Sequence, residues 1–185
     1  MIGMTVDLSS QDLCGNCTGY SNTKFLISAE TVAGRPIQMG SFIRLFIPAD
    51  FKIPDLDRAA SSCTVVSGFS DEITCTFEEN SPNTGYLIKI YGGFDSKTSM
   101  GGKFSFYMQE ILNPFTTLET GNFKMDIYDE KEGLQYNYQG NYTQKVSPSQ
   151  FSYAFAESSS AVVGASSVYQ LTLTLSVDTP AGAQI

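Results

Sequence analysis

From Tyr169 to Val177 apolar and polar side chains alternate without a break. Tyr169, Leu171, Leu173, Leu175 and Val177 fall on one side, with Gln170, Thr172, Thr174 and Ser176 on the other. Successive side chains of a strand point to opposite faces, so the pattern predicts a half-buried β-strand. Only eight residues follow, too few to build the sheet that would cover its apolar side. This segment is therefore expected to be an assembly strand, completed by an adjacent repeat or by another copy of the protein.

Lys24–Thr31 reads as an earlier version of the same pattern, with Phe25, Ile27 and Ala29 in the places of Leu173, Leu175 and Val177. An acidic-Thr pair follows each strand, Glu30-Thr31 and Asp178-Thr179, and then a Pro/Gly turn. Ser9-Ser10, Gly15 and Tyr20 precede the first; Ser159-Ser160, Gly164 and Tyr169 precede the second. The chain thus reads as one whole repeat, 1–148, and a segment, 149–185, that holds a linker and the opening of a second repeat or a donor strand.

Short alternating or aromatic runs recur between turn signals. They predict strands at Met4–Leu8, Lys24–Glu30, Ser41–Ile47, Cys63–Val66, Glu72–Phe77, Tyr86–Tyr91, Lys103–Ile111, Phe123–Tyr128, Leu134–Tyr138, Phe151–Phe155 and Val168–Asp178. Gly34-Arg35-Pro36, Asn83-Thr84-Gly85, Gly92-Gly93 and Asn113-Pro114 supply breaks. No segment carries a helical stripe over three turns. The polar stretch Gly140–Ser149 is the expected linker. The predicted class is an all-β antiparallel sandwich or barrel.

The composition supplies the core for it: 42% hydrophobic residues, with 13 Phe and 10 Tyr. A net charge of −8 argues against nucleic acid and anionic membrane as partners. No apolar run approaches a membrane helix, so no membrane insertion is expected within the segment. Met1-Ile2-Gly3-Met4 has no basic flank and does not read as a signal peptide, so secretion would need a leader upstream or already cleaved.

The four cysteines form two local pairs, Cys14/Cys17 and Cys63/Cys75, and proximity favours disulfides within each. Between Cys63 and Cys75 the sequence reads strand, Ser-Gly turn, strand, so a hairpin is expected to bring its ends together. Cys14-x-x-Cys17 is also half of a zinc site, but the second pair lacks knuckle spacing. A redox role for Cys14-x-x-Cys17 would want a helix N-terminus, and the pair sits in a polar loop.

With no histidine in the chain, Ser-His-Asp, Cys-His and histidine-bearing metal centres are excluded. No pair of carboxylates is singled out by spacing for glycoside chemistry. No catalytic residue, cofactor or metal site is assigned. Asp55 with Asp57, and Asp126 with Asp129 and Glu130, are acidic groupings that match no calcium loop and read as solvated turns. Asn16-Cys17-Thr18 and Asn141-Tyr142-Thr143 fit the N-glycosylation pattern, making Asn16 and Asn141 candidate glycan sites. Tyr136, Tyr138 and Tyr142 are candidates for stacking on sugars, against the plainer reading of cross-strand packing.

Phe42-Ile-Arg-Leu-Phe-Ile-Pro48-Ala-Asp-Phe51 resembles the strand-Pro-x-x-Phe element of tandem immunoglobulin-like repeats in large surface proteins of ciliates and other protists. The likeness continues through Cys63-Thr-Val-Val-Ser-Gly, Ile73-Thr-Cys75, Phe104–Thr117 and Gly121–Asp129, and Val163–Tyr169 is similar to the start of another repeat. The Cys14/Cys17 loop is outside that pattern. The resemblance implies an immunoglobulin-like β-sandwich, an extracellular or cell-surface setting, and glycosylation. The function expected is a structural repeat of a filament or stalk, partnered by other copies or adjacent repeats. An adhesin or a carbohydrate- or protein-binding module is the alternative.

Overall fold

The computed structural model describes residues 3–9, 17–19, 21–22, 24–32, 34–81, 84–95, 101–138, 142–148, 151–164 and 166–175. In chain order the elements are β1 (Gly3–Ser9), β2 (Ser21–Asn22), β3 (Lys24–Glu30), β4 (Phe42–Ile47), α1 (Leu56–Ser61), β5 (Thr64–Ser67) and β6 (Thr74–Ser81). They continue with β7 (Gly85–Tyr91), β8 (Lys103–Met108), β9 (Ile111–Leu112), β10 (Lys124–Tyr128), β11 (Leu134–Asn137), β12 (Phe151–Ser158) and β13 (Tyr169–Leu175). The protein is nearly all β.

Two antiparallel sheets carry the first part of the chain, ordered β1-β3-β8-β5 and β11-β10-β4-β7-β6. Every second residue of their strands faces inward, as the period of two requires. Phe25, Ile27, Phe104, Phe106 and Met108 of one sheet enter the same core as Ile43, Leu45, Ile47, Ile88, Ile90, Met125 and Ile127 of the other. Each such side chain contributes about 1.5–3 kcal/mol by leaving water, which is what holds the sheets together.

Residues between strands complete this core. Pro48 begins a tight turn, with Phe51 N–H donating to Pro48 O at 3.2 Å, and the turn drops Phe51 inside. There its ring meets Phe25 edge-on at 5.3 Å and Phe123 at 5.4 Å. A second group forms around Phe69, 5.2 Å from both Phe94 and Phe104.

Four expectations change. The predicted strand Lys103–Ile111 breaks into β8 and β9 because Glu110 takes a left-handed φ of 60°. The acidic pair Asp55/Asp57 belongs to the one helix among the described residues: Asp55 is its N-cap and its carboxylate accepts from Arg58 N–H at 3.0 Å. The expected linker is largely part of the core unit, since Val146 is buried, Phe123 N–H donates to Tyr142 O, and Cys17 bridges Ser147 in parallel.

The fourth concerns the second cysteine pair. Cys63 and Cys75 are bridged, with Cα atoms 6.1 Å apart, but not across a hairpin. β5 pairs with β8 and β6 with β7, so the two strands lie in different sheets. Both are edges, and the disulfide ties one sheet margin to the other. Cys17 is also disulfide-bonded, so its sulfur, 3.3 Å from Pro148 O, has no proton to donate. Cys14 lies outside the described residues.

Candidate functional site

β12 and β13 form a two-stranded sheet of their own. The strand at 169–175 is thus not isolated: it pairs antiparallel with β12, Ala154 opposite Leu173 and Ala156 opposite Leu171. Ser159 N–H donates to Val168 O at 2.8 Å and Val168 N–H to Ser159 Oγ at 2.9 Å, closing the connection. Gly164, at φ 79°, makes the turn within it.

Directly opposite residues share a face of an antiparallel pair. One face therefore shows Tyr169, Leu171, Leu173 and Leu175 beside Ala154 and Ala156. The other shows Tyr153 and Phe155 beside Thr172 and Thr174. Sequence alternation identified the leucine face but not this aromatic one, whose two rings stack 6.3 Å apart. Among the described residues neither face is covered: Leu171 is 69% exposed, Tyr153 52% and Phe155 49%. Val177 lies outside the described residues.

The pair has a counterpart in the first unit. β1 and β3 are also antiparallel, joined by the segment that carries Ser10 and Gly15, with Val6 opposite Ile27. There the inward residues Met4, Val6, Phe25 and Ile27 are buried by the facing sheet. The later pair presents the same alternation with no such cover among the described residues.

The outer faces of the two large sheets differ. Across the four-stranded sheet runs a row of small hydroxyls, Thr5, Ser28, Ser105 and Ser67, in register. Across the five-stranded sheet the corresponding row is Asn137, Asp126, Arg44, Lys89 and Thr76. Rings flank this row and take its cations: Lys89 Nζ lies 4.1 Å from the Phe42 centroid, and the Arg44 guanidinium 5.0 Å from that of Tyr128. Lys124 Nζ sits 5.6 Å from the Phe46 ring.

Two carboxylates balance those cations. Glu78 binds Arg44 through both oxygens, at 2.8 and 3.2 Å, and this hydrogen bonding raises the guanidinium pKa further above its ordinary value. Burial pushes the Asp126 carboxyl up, against the hydrogen bond from Asn137 and the charge of Lys124. Sequence reasoning missed this cluster because its members come from five strands far apart in the chain.

The tyrosines weighed as candidates for stacking on sugars serve the fold instead. Tyr136 is buried and its hydroxyl donates to Arg35 O at 3.1 Å, Tyr138 packs against the core, and Tyr142 engages the backbone of Val6. Asp129 closes a hairpin tip, accepting from Lys131 and Gly133 N–H. Among the described residues no group of three or more Cys, Asp or Glu is placed to hold a metal ion. Among them, too, no helix is long and apolar enough to cross a membrane. Asn16 and Asn141 lie outside the described residues. The sequence matches no protein-family model and no curated protein.

Proposed function

We propose that the chain is a structural repeat of an extracellular filament or cell-surface stalk. In this reading residues 1–148 form one immunoglobulin-like sandwich, and 149–185 contribute the first strands of a second, completed by an adjacent repeat or another copy. The observation that carries it is the exposed β12–β13 pair, which repeats the pairing and alternation of β1–β3 with no covering sheet among the described residues. Apolar surface of this kind is a docking feature.

The strand order favours the immunoglobulin-like class. β1-β3-β8-β5 against β11-β10-β4-β7-β6 fills the four-plus-five positions of a variable-type sandwich. The chain visits β5, β6 and β7 in the reverse of the usual sequence, and its disulfide joins two edges instead of two central strands. That disulfide favours an oxidising, extracellular setting. Glycans on Asn16 and Asn141 would raise the intact mass of protein from its native source, and enzymatic deglycosylation would remove the excess.

Electron microscopy of the native protein tests the main reading. Rows of units are expected, lost on Leu173→Asp while the disulfide and circular dichroism stay unchanged. Single, unconnected units from both proteins would overturn it. A second reading, a binding module, is favoured by the ring-mounted cations of the five-stranded sheet. It predicts a melting temperature raised by an acidic or neutral oligosaccharide, and no such rise in Lys89→Ala.

A further inference from the structure

We infer that the open edge of β6, with α1 beside it, is the acceptor for β13 of a second copy. The inference rests on the reading of 151–175 as an assembly element and adds where that element docks. The two large sheets have four edges: β1, β5, β11 and β6. On β1 the Tyr142 hydroxyl engages both backbone groups of Val6, so an incoming strand cannot pair there. β5 and β11 are four residues long, and each shifts register against its partner. β6 is eight residues long, and its pairing with β7 is regular from Thr74 to Phe77.

Beside that regular stretch lies a depression of about 730 Å³. Four consecutive residues, Thr74 to Phe77, line it. One face of a strand would contribute every second residue, so a consecutive run means that the hydrogen-bonding edge borders the space. The opposite wall is one side of α1, through Leu56, Ala60 and Ser61. Leu56, Ala60, Ile73 and Phe77 give the slot an apolar wall beside the polar Asp57, Ser61, Thr74 and Thr76, and the Cys63–Cys75 bridge fixes its base. A slot between a strand edge and a helix has the shape of an extended chain, which would add a strand and place alternate side chains against the apolar wall.

β13 has the matching features. Among the described residues β12 is the one strand paired with it, and Leu171, Leu173 and Leu175 recur at the spacing such a slot takes. Donor and acceptor are different surfaces of one molecule. Their contact is heterologous and adds copies in an open row instead of closing a two-fold dimer.

Sedimentation of the full chain from micromolar to submillimolar concentration tests this, with one substitution at the half-buried Leu173 and one at the exposed Ser61. Leu173→Asp disables the donor and leaves the slot; Ser61→Trp fills the slot and leaves the donor. Wild type is expected to associate with concentration and each variant alone to stay monomeric. A mixture of the two is expected to form one-to-one dimers and nothing longer, since only one working donor and one working slot can meet. Leu171→Asp serves as a second donor variant. Association retained by Ser61→Trp but lost in Leu173→Asp would overturn the β6 slot and leave the assembly strand standing. A wild type that stays monomeric throughout would also overturn the slot, while rows of units in the native protein would still be decided by microscopy.

Discussion

The Tyr142 hydroxyl donates to Val6 O at 2.9 Å and accepts from Val6 N–H at 3.0 Å, joining residues 136 positions apart in the chain. Val6 lies on an edge strand, and this one hydroxyl satisfies both of its outward backbone groups. The Tyr142 ring also meets Phe123 edge-on at 5.9 Å, so the lock is held in place by the core.

Tyr142→Phe keeps the ring and removes the lock. The two Val6 groups then lose their partner, at a cost of about 1–2 kcal/mol. Urea denaturation should show the loss, and hydrogen exchange should quicken in β1 more than in β3. Unchanged exchange at β1 would mean that water replaces the hydroxyl at no cost.

Removing the inter-sheet bridge by Cys63→Ser with Cys75→Ser should lower stability by about 2–4 kcal/mol through the freedom returned to the unfolded chain. Reductant should lower the wild type further than the variant, which has only the Cys17 disulfide left to lose. Non-reducing peptide mapping should recover the 63–75 crosslink, and free thiols on native protein would contradict it.

Phe51→Ala leaves a cavity between Phe25 and Phe123. The expected loss is about 3–5 kcal/mol, read from the urea midpoint at unchanged slope. A loss below about 1 kcal/mol would show that the turn at Pro48 collapses inward.

Asp126 sets a pH dependence. Its carboxyl is held above the ordinary carboxylate range by burial, so the folded protein keeps this proton to a higher pH than the unfolded chain does. Between the ordinary value, about 3.9, and the raised one, its contribution to stability falls as pH rises. Asp126→Asn has no such proton to lose. The stability of the variant relative to wild type should therefore increase through that window and level off above it. A difference that is flat, or that grows toward acid, would contradict the assignment.

The strand framework was legible because the core demands it. Phe25-x-Ile27-x-Ala29 and Ile43-x-Leu45-x-Ile47 alternate with outward residues, and one-sided burial preserves that record in the sequence. What alternation does not encode was missed. Helix α1 has six residues, too few to write a 3.6-residue stripe. The spacing of Cys63 and Cys75 suits a hairpin and a crossing between sheets equally well, and only the partners of β5 and β6 decide between them. The leucines of β13 announced an alternating strand, whereas Tyr153 and Phe155 showed their face only once the register with β12 was known. Arg44 and Lys89 declare nothing as isolated cations. Their meaning comes from rings that the sheet brings alongside.

The bridge between the sheet margins also bears on a unit placed in line with others and pulled from both ends. Its cysteines are 12 positions apart in the chain. At about 3.4 Å per extended residue, the stretch between them would otherwise lengthen an unravelling unit by roughly 40 Å. The crosslink withholds that length, so tension passes through the sulfurs and β5 stays slack inside a closed ring. A thread of such units would give way in shorter steps under oxidising conditions than under reducing ones. Its reach at rupture would then depend on the chemistry of its surroundings.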